Sequence, residues 1–183
     1  MRVLKHHEQK LLKKVKFPSQ WNKDSYIHEV TIMRKYHIQN REDYHKYNKL
    51  CGAITKLVAR LRKLPENDPF RIEMTDKLLE KLYNMGLLKT KKSLAQIDRI
   101  AASKFCRRRL PVVLVRLHMA ETMKEAVTFV EQGQVRVGPE IITDPAYLVT
   151  RGMEDFVTWS DTSKMRRKVM AYNNELDDFD LLG

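Results

Sequence analysis

The chain has 183 residues, enough for one or two small domains, and its 35 lysines and arginines against 23 aspartates and glutamates leave a net charge of +12. Such an excess suits a polyanionic partner, nucleic acid or an anionic membrane surface. No apolar run approaches the roughly 18 residues of a membrane-spanning helix, and the N-terminus MRVLKHHEQK carries no apolar core of a secretory signal. Cys51 and Cys106 stand in no metal-binding or redox spacing, which predicts reduced, structural thiols in an intracellular protein. The histidines are scattered and predict no metal site.

In chain order, residues 1–16 hold six lysines and arginines against one glutamate, with Leu4, Leu11, Leu12 and Val15 at the spacing of one helix face. That is a basic amphipathic helix, and two readings of it stay open: it lies on RNA, or it packs on a partner with its lysines in solvent. Residues 17–30, with Pro18, Trp21 and Tyr26, read as irregular. Residues 1–40 are accordingly expected to form a basic extension. Arg41 to Leu64 is the clearest helix. Tyr47, Leu50, Ile54, Leu57, Leu61 and Leu64 repeat in alternating steps of three and four, a seam for another helix. Pro65 stops it, Asp68-Pro69 makes an N-cap and first-turn pair, and a second helix runs through Leu78, Leu79, Leu82 and Met85 to Gly86. The spacing predicts an antiparallel hairpin whose stripe is intramolecular core, with partner binding as the other reading. Residues 87–92 (LLKTKK) form a basic linker, and Leu94, Ile97, Ile100 and Ala101 predict a further helical piece that packs onto the domain that follows, with the helical domain spanning 41–105.

Residues 106–173 have a different texture. Leu110, Leu114 and Leu117 mark one face of a short helix. Thr122 followed by Glu125 is a capping box. Met123, Ala126, Val127 and Val130 make the buried stripe of a second helix, which Gly133 ends. Val135-Arg136-Val137 alternates as a half-buried strand does, and Gly138-Pro139-Glu140 turns the chain back through Ile141-Ile142. Arg107, Arg108, Arg109, Arg116, Lys124 and Arg136 gather on this small unit, the footprint of a polyanion binder. Gln132, Gln134 and Arg151 complete the candidate RNA-binding set. For Arg108 and Arg109 a second reading is open, ion pairs with Glu121 or Glu154. Residues 174–183 form an acidic tail with interspersed leucine and phenylalanine, either solvated or a docking peptide.

Arg109-Leu110, Leu114, Arg116-Leu117, Ala120, Thr122, Ala126, Gly133, Val135, Val137, Asp144-Pro145, Tyr147, Val149 and Asp155 together resemble the alpha-L RNA-binding domain. That domain occurs in a small-subunit ribosomal protein, some pseudouridine synthases and bacterial tyrosyl-tRNA synthetases. Pro111 and the Gly138-Pro139 turn depart from its pattern. The resemblance implies an α+β protein, a helical region with a hairpin followed by two short helices and a small antiparallel sheet.

Over the whole chain, KHHEQKLLKKV, YHIQNREDYHKYNKLCG, DPFR, CRRRLP, DPAYLVT and MEDFVTW resemble the family of small-subunit processome proteins of the U3 small nucleolar ribonucleoprotein. This resemblance implies a nuclear, nucleolar factor for early small-subunit rRNA processing that helps the U3 small nucleolar RNA pair with pre-rRNA. It further implies other processome proteins as partners, among them the acidic scaffold M-phase phosphoprotein ten. From the residues themselves, no phosphate-cradling glycine loop, nucleophile elbow or paired carboxylates point to an enzyme or a cofactor. A structural ribosomal protein and, less favoured, an RNA-modifying enzyme are the alternatives.

Overall fold

The computed structural model describes residues 5–8, 10, 23–91 and 93–175. They divide into two units, one ending at Lys35 and the other beginning at Tyr36. In the first, residues 6–8 and 10 are helical, and α1 spans Lys23–Lys35, so the stretch expected to be irregular is helical from residue 23. The apolar positions of the expected basic helix (Leu4, Leu11, Leu12 and Val15), together with Pro18 and Trp21, lie outside the described residues. So does the acidic tail beyond Glu175.

The second unit opens with two long helices, α2 (Arg41–Leu61) and α3 (Pro69–Asn84). The local signals act as expected. Asp68 accepts a hydrogen bond from the Phe70 amide, satisfying one of the orphan donors of the first turn of α3, and Pro69 sits where no donor is needed. At the other end Gly86 adopts φ +74° and the Leu87 amide reaches back to the Leu82 carbonyl, closing the helix. A 3-10 turn (Leu94–Arg99) and a short α4 (Ala102–Cys106) follow and pack against α2.

The buried face of α2 is rotated from the expected one. Tyr44, Tyr47, Val58 and Leu61 are buried, whereas Leu50 and Leu57 are 47% and 45% exposed. Two seams with steps of three and four share Tyr47, Ile54 and Leu61. Tyr44 and Val58 extend one, Leu50 and Leu57 the other. The first is the buried one, and α4 packs on the same helix, its Phe105 stacking on the shared Tyr47 with ring centroids 5.7 Å apart. The stripe therefore serves a face that meets α4 and the 3-10 turn as well as α3.

The remainder is a layer of two helices against a small sheet. α5 (Leu110–Arg116) and α6 (Met123–Glu131) pack on each other and on β1 (Val135–Val137). β2 (Glu140–Ile141) pairs with one edge of β1, and β3 (Val157–Trp159) with the other, both antiparallel. β3 is a strand the sequence pattern did not reveal. Leu110, Val113, Leu114, Ala126, Val130, Val135, Val137, Val149 and Val157 form the core. Leu117, expected in that stripe, caps α5 and is 39% exposed, while Val113 takes the buried place. Thr122 accepts from the Glu125 amide, but the Glu125 carboxylate reaches back to the amide of Glu121, one residue before the position a standard box uses. Gly133 at φ +68° ends α6. A last helix, α7 (Lys164–Tyr172), is capped by Ser163 and was not anticipated.

The helical half and the sheet half join through Arg107 to Arg109. The Leu110 amide donates to the Tyr147 carbonyl and the Val149 amide to the Arg108 carbonyl, so this segment runs beside 147–149 like a fragment of strand. From it the Arg109 side chain, 3% exposed, turns back to α2. There it pairs with Asp43 (3.3 Å) and donates to the Tyr47 hydroxyl (3.4 Å). Burial pushes the Tyr47 hydroxyl above its ordinary value, against the lowering charge of Arg109, so it stays a neutral acceptor there.

Two predictions test this packing. Val58→Asp puts an unpaired carboxylate into the core and lowers stability by about 3 kcal/mol or more. Leu57→Asp, on the exposed side of the same helix, costs about 1 kcal/mol or less. Urea unfolding of both variants checks the rotated seam, and a reversed order overturns it. Separately, Arg109→Ala leaves Asp43 only the exposed Lys46 at 3.6 Å, removes the donor to the Tyr47 hydroxyl, and lowers stability by about 3 kcal/mol. Arg107→Ala, at an exposed guanidinium, changes it by no more than about 1 kcal/mol. Equal small losses would show that the Arg109 pair does not hold the halves together.

Candidate nucleic-acid interface

The three consecutive arginines, expected as one phosphate-facing cluster, separate. Arg109 is buried against α2. Arg108 is also buried: its Nε donates to the Val149 carbonyl at 2.9 Å and its Nη1 to Glu154 at 2.8 Å. Glu154 is one of the two partners the sequence reading held open; Asp43 was not considered. Arg107 stays exposed, its Nε donating to the Tyr36 hydroxyl at 3.2 Å. The physical reason is the backbone that carries each. Arg107 ends α4 in helical conformation and points to solvent, whereas Arg108 and Arg109 leave a segment pinned between two packed layers.

Beside Arg107 opens a cleft of about 880 Å³. Its lining carries seven cationic side chains, Lys89, Arg99, Lys104, Arg107, Arg108, Arg116 and Arg151, against the single carboxylate of Glu154. One side is the chain from Gly86 to Thr90 with the 3-10 turn, the other the ends of α4 and α5 and the turn 151–156. The Arg151 guanidinium lies 4.1 Å from the centre of the Tyr83 ring and donates to the Leu88 carbonyl at 3.0 Å, which fixes it across the rim. Gly86 is a close-approach glycine as well as a helix stop. A Cβ there would stand 2.7 Å from the Arg108 Nε, so only glycine admits the guanidinium.

The electrostatics are those of crowded like charges. Among the described residues Lys89, Arg99 and Lys104 have no ion-pair partner. Burial first, and then the charges of Arg107, Arg99 and Lys89, hold the Lys104 ammonium below its ordinary value. An anion entering the cleft relieves that repulsion. Burial pushes the Glu154 carboxyl up, but the hydrogen bond and charge of Arg108, with those of Arg116, outweigh it and leave the group below the usual carboxylate range. Its stabilising charge is thus present above the ordinary value of 4.5 and lost as pH falls through the lower folded value. Cys106, buried behind the cleft, has its thiol pushed up to about 11 by burial and remains a protonated core side chain.

Of the candidate residues, the cleft brings together Arg107, Arg108, Arg116 and Arg151. The others lie outside it. Lys124 and Gln132 are exposed on and just after α6. Gln134 accepts from Ser163 Oγ at 2.6 Å and from the Ser160 amide at 2.8 Å, which ties the strand to the start of α7. Arg136 donates to Thr158 at 3.1 Å and to Asp161 at 2.6 Å, and Arg166 shares that carboxylate. The sequence reading missed Lys89, Arg99 and Lys104. For Lys89 the basic run 87–92 is a signal, but nothing local shows that the chain folds it onto Arg107; Arg99 and Lys104 stand in no such run.

Residues 3–107 match the ribosomal protein S4/S9 N-terminal domain and residues 108–155 the S4 domain. The chain is similar to U3 small nucleolar ribonucleoprotein protein IMP3 of Saccharomyces cerevisiae, 56% identical over 181 residues and covering 98% of each chain. It is equally similar to IMP3 of Homo sapiens, 56% identical over 181 residues with 99% of this chain and 98% of the relative covered. Small ribosomal subunit protein uS4 of Picrophilus torridus is 30% identical over 144 residues, 78% of this chain and 79% of its own. With the two domains in this order, and with 56% identity sustained over nearly the full length of the yeast and human proteins, the chain belongs to the IMP3 family of U3 small nucleolar ribonucleoprotein proteins.

Proposed function

We propose that this protein is an RNA-binding factor of the U3 small nucleolar ribonucleoprotein that acts in early small-subunit rRNA processing, where it promotes pairing of the U3 small nucleolar RNA with pre-rRNA. The observation that carries the reading is the cleft, whose lining holds seven cationic side chains and one carboxylate. Two RNA strands that must pair repel each other. A concave basic surface lowers that repulsion by neutralising phosphates and releasing counterions. Arginine suits the task because its planar fork grips phosphate oxygens in pairs. Lys89, Arg99, Lys104, Arg107, Arg116 and Arg151 contact the backbone in this reading, with Lys124 and Gln132 extending the surface. Arg108, Arg109 and Gln134 position rather than bind. The names of the relatives support a place among processome proteins in the nucleolus. The net charge of +12 suits an acidic scaffold such as M-phase phosphoprotein ten. Neither a covalent step nor a cofactor enters the role.

The replacement of Lys104 and Arg107 together by alanine weakens binding of a U3 RNA fragment at least tenfold, equivalent to about 1.4 kcal/mol. It also flattens the dependence of log affinity on log salt by about 0.7 to 0.9 per lost phosphate contact. Unchanged affinity and slope in the folded variant, measured by fluorescence anisotropy across a salt series, overturn the assignment of the cleft. Pairing is tested apart from binding. Purified protein accelerates annealing of the fragment with its complementary pre-rRNA segment without ATP, and the acceleration fades as salt rises. Binding without acceleration removes the annealing role. Residence at one copy per mature cytoplasmic small subunit would favour a structural ribosomal protein instead.

A further inference from the structure

We infer that Glu154 is a built-in competitor for the RNA backbone: it holds Arg116 at the cleft in the free protein and surrenders it to a phosphate when RNA enters. The inference rests on the reading that the cleft takes RNA. Glu154 is the only carboxylate in the lining, and its two oxygens go to different arginines, one to Arg108 and the other to Arg116.

The two arms differ in what breaking them entails. Arg108 is 8% exposed, its Nε is held by the Val149 carbonyl, and Gly86 closes on its guanidinium. A charge buried in that way keeps its partner, because leaving it unpaired in a low-dielectric setting is strongly unfavourable. Arg116 is 49% exposed, and a half-solvated ion pair contributes little. Exchange therefore falls on the Arg116 arm. A carboxylate and a phosphate present the same kind of paired oxygens to an arginine fork, so Arg116 moves from one to the other without losing hydrogen bonds. The Nη2 of Arg108 adds a second, independent observation. It is buried in the cleft wall without an acceptor among the described residues, so the pocket of anion contacts around Glu154 is not saturated by the protein's own groups. Glu154 thus keeps a site of seven cations from holding RNA too tightly to release it.

The test compares Glu154→Gln with wild type. The amide keeps an oxygen for Arg108 and removes the competing charge. Affinity for the U3 RNA fragment rises about fivefold or more, while the salt slope stays near that of the wild type, because Arg116 meets a phosphate in both complexes. In an Arg116→Ala background the same change gives no gain. A merely structural Glu154 predicts the opposite sign, a loss of affinity, and that result overturns the inference. If Glu154→Gln fails to fold, Arg116→Ala alone decides. Its surface position leaves the melting temperature unchanged, and it must weaken binding and flatten the slope; unchanged binding overturns the inference. The Lys104 and Arg107 double variant separates the two levels. If it binds RNA as wild type does, the cleft reading itself falls. If it binds weakly while Glu154→Gln gains nothing, only the competitor role falls.

Discussion

Two guanidinium groups buried between the helical half and the sheet half organise the second unit. Arginine cannot shed its charge at any accessible pH, so each buried one must be met by a carboxylate and by well-placed acceptors. Asp43 and Tyr47 from α2 meet Arg109; Glu154 and the Val149 carbonyl meet Arg108. These requirements fix where α2 lies against the segment 107–110, which of its two possible apolar seams is buried, and where the turn 151–156 must pass. Gly86 belongs to the same constraint, since a side chain there would collide with Arg108.

The cleft follows from that junction. With Arg108 and Arg109 committed to the fold, the cations left for a ligand are Arg107 and those that the junction carries to its side: Lys89, Arg99 and Lys104 from one half, Arg116 and Arg151 from the other. The site is therefore made by the meeting of the two domains, and neither the helical nor the sheet half holds it alone. Under the proposed function such a lining would meet backbone charge and shape. Among its lining residues there is no aromatic ring on which a base could stack, and the nearby Tyr83 is covered by Arg151.

Glu154 carries structure and function at once. Its bond to Arg108 stabilises the junction, and its bond to Arg116 lowers the net charge that the cleft presents. A carboxylate in the midst of cations stays ionised through the whole physiological range, so the device responds to an arriving phosphate and not to pH.

What the sequence by itself determined are the features whose partners lie within a few residues. The cap at Asp68-Pro69, the stops at Gly86 and Gly133, the Thr122 cap of α6, and the alternation of Val135 to Val137 were all legible, because each is settled by a local hydrogen bond or a local backbone angle. The basic character of the protein and its family were legible for a similar reason, since charge and motif are written residue by residue. What tertiary structure decided are the pairings across distance. Asp43 finds Arg109 across 66 residues and Glu154 finds Arg108 across 46. β3 has only three residues and becomes a strand because β1 offers it an edge. The seam of α2 had two phases of equal apolar quality, and only the tertiary contacts of that helix chose between them. Three adjacent arginines look alike in one dimension. Which of them faces solvent depends on what is packed around the backbone that carries them, and that is a property of the folded chain.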